Sequence, residues 1–196
     1  IEANTWSGDG ATSGFIGVDT SLPGAAPKGR LILRPRTAGT TIGVGGGGGG
    51  TLNLSANRLG FLQDGFSEII IGDATTGDIT VNAATFTDNL RLITGGSLAL
   101  NGALDVGTNR LVLLPVGDTT QGVSAPITAG SLRLGGDGEF NLNQAANSVG
   151  MLSKDGSGSV SLTNNTGLTV GSVDGVNGVS ASTVDLRTSA GDLTLD

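Results

Sequence analysis

Cysteine, histidine and tyrosine are absent from this 196-residue sequence, and tryptophan and methionine occur once each. Without cysteine there is no disulfide framework, no thiolate zinc cluster and no thiol nucleophile. Without histidine as well, Ser/His/Asp and Cys/His catalysis and most transition-metal sites are excluded. One Trp and five Phe leave little material for an aromatic platform under a sugar or a base. Charge is also scarce, at 14% of residues, yet hydrophobic residues reach 37%. Disorder combines low hydrophobicity with high charge, so this composition points to a folded chain. No apolar run approaches the roughly 18 residues of a membrane span. The net charge of −7 argues against a phosphate-binding surface for nucleic acid and against capture on anionic lipid.

Glycine is abundant, with 36 residues. They follow no three-residue period, which excludes a collagen helix and leaves a β-rich chain with many tight turns. The dominant pattern is a short apolar-x-apolar unit bounded by Gly, Asn, Asp, Ser or Thr. Examples are Leu31-Ile32-Leu33, Ile79-Thr80-Val81, Leu90-Arg91-Leu92, Leu111-Val112-Leu113, Leu132-Arg133-Leu134, Val160-Ser161-Leu162 and Leu193-Thr194-Leu195. Such alternation is a strand with one face buried and one wet. Helix signals are confined to Asn57–Phe66, interrupted by Gly60 and Gly65, and to a single turn in Asn143–Met151.

The units are shorter than sandwich strands, and their spacing suits two or three strands per coil. The expected fold is all-β: a parallel β-helix, or β-solenoid, of roughly 20 residues per rung. About ten such rungs would make a rod about 45–50 Å long at about 4.8 Å per rung. Residues 1–30 are expected to be an irregular or partly strand entry segment, and 31–196 a continuous shaft. Ile1-Glu2-Ala3-Asn4 shows no export signal, and Leu193-Thr194-Leu195 stops in mid-pattern, so the sequence is read as an excerpt.

Leu33-Arg34-Pro35-Arg36-Thr37-Ala38-Gly39-Thr40, the glycine run, Thr51-Leu52-Asn53-Leu54 and Ile71-Gly72-Asp73-Ala74-Thr75-Thr76-Gly77-Asp78-Ile79-Thr80-Val81 together resemble a recurrent block of filamentous-haemagglutinin-like exoproteins. Asn147-Ser148-Val149-Gly150 and the stretch from Gly167 through Val179 are similar to another block of that two-partner-secretion adhesin family. The resemblance runs from about residue 30 onward. It implies a right-handed parallel β-helix, secretion through an outer-membrane partner transporter, and display at the surface of a Gram-negative cell. It implies adhesion or aggregation and supplies no functional residue. No Asn-Pro-Asn motif of the family's secretion region occurs.

Candidate sites are each matched by a plainer role. Gly43–Gly50 lacks the Lys-Ser/Thr of a phosphate loop and reads as a flexible loop between rungs. Gly135-Gly136-Asp137-Gly138-Glu139-Phe140-Asn141-Leu142 is similar to a calcium nonapeptide, but Phe140 takes the place of a ligating aspartate. It is therefore read as a turn. Asp73, Asp78, Asp88, Asp105, Asp118 and Asp137 read as solvated corners, and Arg34 and Arg36 as a solvated basic pair. Asn53 and Asn164 lie in glycosylation sequons but read as ladder residues. The expectation is a structural or adhesive fibre segment with no catalytic, cofactor or metal residue, and with possible end-to-end self-association. The alternatives are a carbohydrate-active β-helix enzyme, marked by Asp converging with Arg or Lys on one face, and a glycan-binding module using Thr80, Thr169 and Thr194.

Overall fold

The computed structural model describes Ile1, Ala3 and residues 29–196. Most of the expected entry segment, with Trp6, lies outside the described residues. The strands are β1 (Arg30–Leu33), β2 (Ile42–Val44), β3 (Leu52–Leu54), β4 (Glu68–Asp73), β5 (Ile79–Thr85), β6 (Leu90–Thr94), β7 (Leu98–Asp105), β8 (Arg110–Pro115) and β9 (Thr119–Gln121). They continue as β10 (Ile127–Gly135), β11 (Phe140–Leu142), β12 (Ser148–Asp155), β13 (Val160–Asn164), β14 (Leu168–Val170), β15 (Ser172–Val173), β16 (Val176–Asn177), β17 (Val184–Thr188) and β18 (Leu193–Leu195). One short helix, α1 (Ala56–Leu59), follows β3.

All strands except β15 and β16 form parallel ladders, stacked as a β-solenoid of about six turns with about 21 residues per turn. One face runs β1-β4-β6-β8-β10-β12-β14-β18. A second runs β3-β2-β5-β7-β9-β11-β13-β17. A short third face forms where long strands turn the corner, pairing Ala84 with Leu104, Leu104 with Ile127, and Thr128 with Ser148.

The period-two pattern explains the interior. Leu31, Ile69, Leu90, Leu111, Leu132 and Leu152 stack in register on the first face, and Ile42, Ile79, Leu98, Thr119, Phe140 and Val160 on the second. Every one of them is buried. Each stacked aliphatic side chain contributes about 1.5–3 kcal/mol relative to leaving it exposed.

Glycine serves close approach at the corners. A Cβ on Gly138 would lie 2.1 Å from the carbonyl oxygen of Gly117 one rung below, and a Cβ on Gly158 would lie 1.9 Å from that of Gly138. Stacked backbones fill the space where side chains would stand.

Three expectations change. The stack has about six turns rather than ten. Residues leave the ladder in an excursion after β3 and again around β15–β16, so fewer remain to build rungs. The glycine run is an ordered tight coil: Ile42, Gly43 and Val44 pair in parallel with Leu52, Asn53 and Leu54. Gly43 and Gly50 pack backbone to backbone, since a Cβ on Gly50 would sit 2.3 Å from the Gly43 nitrogen. Among the described residues helix is limited to Ala56–Leu59, overlapping 57–66, while 143–151 makes a turn closed by the Asn147 N–H on the Gln144 carbonyl at 3.2 Å and then enters β12.

Candidate functional site

Outward positions of the first face carry a dense group of charges. Arg91 on β6, Arg110 on β8 and Arg133 on β10 occupy three successive rungs. Arg91 and Arg133 share one column, separated by Val112. Arg110 stands two residues before Val112 on the same outward side. Below them Glu68 accepts from Arg91 Nη2 at 2.9 Å and from Arg110 Nη2 at 3.0 Å. Above them Asp155 accepts from Arg133 Nη2 at 3.0 Å.

The centre of the group is closed by a residue from outside the ladder. Between Val170 and Val179, which pair with Leu152 and Lys154, the chain loops out as the antiparallel hairpin β15–β16. Its tip is Asp174-Gly175, at φ +52° and +80°. Positive φ at both central residues is the hairpin turn whose twist matches its strands, and Asp-Gly is a favoured pair for it. The hairpin lies over the first face, with Val173 buried and its carbonyl accepting from Ser153 Oγ at 3.2 Å. Asp174 thereby meets Arg91 Nη2 at 2.8 Å, Arg110 Nη1 at 3.3 Å and Arg133 Nη1 at 3.3 Å. Burial pushes the Asp174 carboxyl up, but the bond and charge of Arg91, with Arg110 and Arg133, outweigh it and hold its pKa below the ordinary value. Burial of Arg91 likewise works against its charge, and Glu68 and Asp174 more than offset it. Arg91, Arg110 and Arg133 thus share three carboxylates in one chain of contacts, which Arg30 joins at 4.0 Å from Glu68.

A second feature is a cleft of about 490 Å³ between the excursion after β3 and the third face, lined by Leu59, Leu62, Ala84, Phe86 and Asp88 among others. Ala83 on its rim has φ +84°, beside a register shift between Val81 and Asn82. Asp88 is 6% exposed and accepts the N–H groups of Gly65 at 2.9 Å and Phe66 at 3.1 Å. Burial raises its pKa, the two N–H donors oppose this, and Asp64 adds to the rise.

The other expected site residues do not converge. Asp73 ties its own turn through Thr75 and Thr76 and pairs with Arg34 at 3.6 Å, so Arg34 is more than a solvated corner residue. Asp78, Asp118 and Asp137 accept backbone N–H groups one rung on, from Ser97, Glu139 and Ser157. Asp105 caps Gly107 locally, and Arg36 is exposed. In the calcium-like stretch Phe140 is fully buried, and Asp137 Oδ1 is engaged by the Ser157 N–H and hydroxyl. Thr169 and Thr194 bond each other at 2.9 Å, while Thr80 sits between Gly43 and Ala99. Asn164 is fully buried and Asn53 lies on β3. Among the described residues no three His, Cys, Asp or Glu gather to hold a metal ion. Among them also, no helix is long and apolar enough to cross a membrane.

Glu68, Arg91, Arg110, Arg133, Asp155 and Asp174 were not singled out by the sequence pattern. The signals were there: arginine in the middle of Leu-x-Leu at 91 and 133, and Asp-Gly between Val173 and Val176. These features define the chain as a β-solenoid whose outer face is closed by a charged strap. No protein-family model matches the chain, and no curated protein or solved structure matches it either.

Proposed function

We propose that this chain is a structural, adhesive stretch of a secreted bacterial surface fibre, of the filamentous-haemagglutinin-like kind, exported through an outer-membrane partner. The observation that carries this reading is the unbroken parallel register of the first face from β1 to β18. A stack of that kind holds a rod shape without a pocket at its centre, and its outward Thr, Ser and Asn are suited to solvent or a broad partner surface. The test is display of the chain on a non-aggregating bacterial host. Cell clumping or surface binding above an unrelated displayed solenoid is expected, and equality with that control would overturn the proposal.

A carbohydrate-active enzyme is the second reading, favoured by one observation: Glu68, Asp155 and Asp174 share a face with three arginines. Each of those carboxylates is engaged by arginine, which supports a structural role over acid–base chemistry. Release of reducing ends or unsaturated sugars from polysaccharides, lost in Asp174→Asn, would promote it.

A further inference from the structure

In a solenoid each rung touches only its neighbours, so stability is a sum of local terms and rungs open one after another from a free end. The hairpin breaks that rule. A single residue opposite Ser153 would carry the strand from Val170 to Val179, yet the chain inserts residues 171–178 there. The detour forgoes ladder bonds and places the non-glycine Asp174 at φ +52°. In return its tip reaches from the rung of β14 back over β12 and β10 to arginines on β10, β8 and β6. Sequence separations are 41 residues to Arg133 and 83 to Arg91. Arg91 and Arg110 pass the connection on to Glu68 on β4.

We infer that the hairpin between Gly171 and Gly178 is a clasp, which makes the rungs from β4 to β14 open as one unit instead of peeling singly from the C-terminal side. The contacts suit that role. Asp174 binds three rungs through one carboxylate, so no one of them can leave without breaking an ion pair shared with the others. Without it Arg91 and Arg110 would be left to Glu68 at one end of the group and Arg133 to Asp155 at the other, with no carboxylate between them, and Val112 beneath is fully buried. The clasp acts on the stack itself and stands whether or not the chain is adhesive.

The test is native-state amide exchange on the whole chain, comparing wild type with Asp174→Asn and with Asp185→Asn. Among the described residues Asp185 pairs with Arg187 alone, on half-buried β17 and away from the hairpin, and serves as the charge control. In wild type and the control, amides of β6, β8, β10 and β12 should open with one common free energy. In Asp174→Asn, protection should fall at least tenfold in β12 and β14 while β4 and β6 change little, giving a gradient along the stack. Unchanged protection, or an equal loss at every rung, would overturn the clasp. Should the variant not fold, pulling wild type from its two ends decides the matter. One force drop spanning β4 to β14 supports the clasp, and a staircase of rung-sized steps refutes it.

Discussion

Asn164 pairs with Val149 as though its side chain were a strand. Its Oδ1 accepts the Val149 N–H at 2.9 Å, and its Nδ2 donates to the Val149 carbonyl at 2.9 Å. Val149 ends the short third face, and after β13 the chain passes directly to β14 without supplying another strand there. The asparagine amide, which carries a donor and an acceptor like a peptide, satisfies the orphaned backbone. Asn147 supplies the acceptor half of that role one turn earlier, taking the Ile127 N–H at 2.8 Å, while its Nδ2 donates to the carbonyls of Leu142 and Thr163.

Replacing Asn164 with alanine should therefore cost about 2–4 kcal/mol, because two buried peptide groups lose their partners. Asn164→Asp should cost at least as much near neutral pH, because an ionised carboxylate would be buried against the carbonyl oxygens of Val149, Thr166 and Gly167. Urea denaturation monitored by circular dichroism measures both, and a cost under about 0.5 kcal/mol would contradict this role.

The glycine run contains its own control. Gly45 has φ +70°, and a Cβ there would lie 1.9 Å from the Ala83 carbonyl oxygen. Gly47 has nothing within 4 Å of the same position. Gly45→Ala should destabilise the fold by about 2 kcal/mol or more, combining strain with a backbone clash. Gly47→Ala should be neutral or stabilising by about 0.4–1 kcal/mol, through lower entropy of the unfolded chain. Equal effects at the two positions would show that the run is a loose loop after all.

Acid should loosen the strap and tighten the cleft. Asp174 has a folded pKa below the ordinary aspartate value of 3.8. Its contribution is complete above that value and is lost as pH falls through the folded pKa. Asp88 is shifted upward, so its contribution is complete below 3.8 and lost as pH rises through its folded pKa. Asp174→Asn should flatten the acid limb of a stability–pH curve. Asp88→Asn should instead remove a loss on the rising side, keeping an oxygen for the Gly65 and Phe66 N–H groups. Urea midpoints across the carboxylate range test both signs, and the reverse pattern would refute the assignment.

Lys154 occupies an inward column after Leu33, Ile71, Leu92, Leu113 and Leu134, and it is fully buried. Its Nζ reaches the Gly156 carbonyl at 3.2 Å and lies 5.5 Å from the Phe140 ring centroid. Burial pushes the amine below its usual value of 10.5, and Asp155 and Asp137 oppose this only in part. The protonated amine therefore destabilises the fold below its folded pKa, and stability should rise as pH climbs through that value toward 10.5. Lys154→Met should be at least as stable as wild type near neutrality and should lack the alkaline rise. A loss above about 3 kcal/mol would show that the ammonium contacts matter more than its burial.

The amino-acid sequence by itself determined the β-solenoid and its rung length, because both follow from local rules. Period-two alternation selects strands, glycine and Asx residues mark corners, and the distance between repeats sets the coil. The inward Ile79, Val81, Leu90, Leu92, Leu132 and Leu134 were legible for the same reason. Only the tertiary structure decided which outward residues meet. Arg91 looks like any polar middle residue of a Leu-x-Leu unit until Asp174, 83 residues later, arrives over it. Register across rungs and the loop-out after Val170 depend on distant segments coming within a few ångströms. No pattern within one rung encodes that approach. The rung count was misjudged on the same ground, since a residue's departure from the ladder is a decision of packing and not of periodicity.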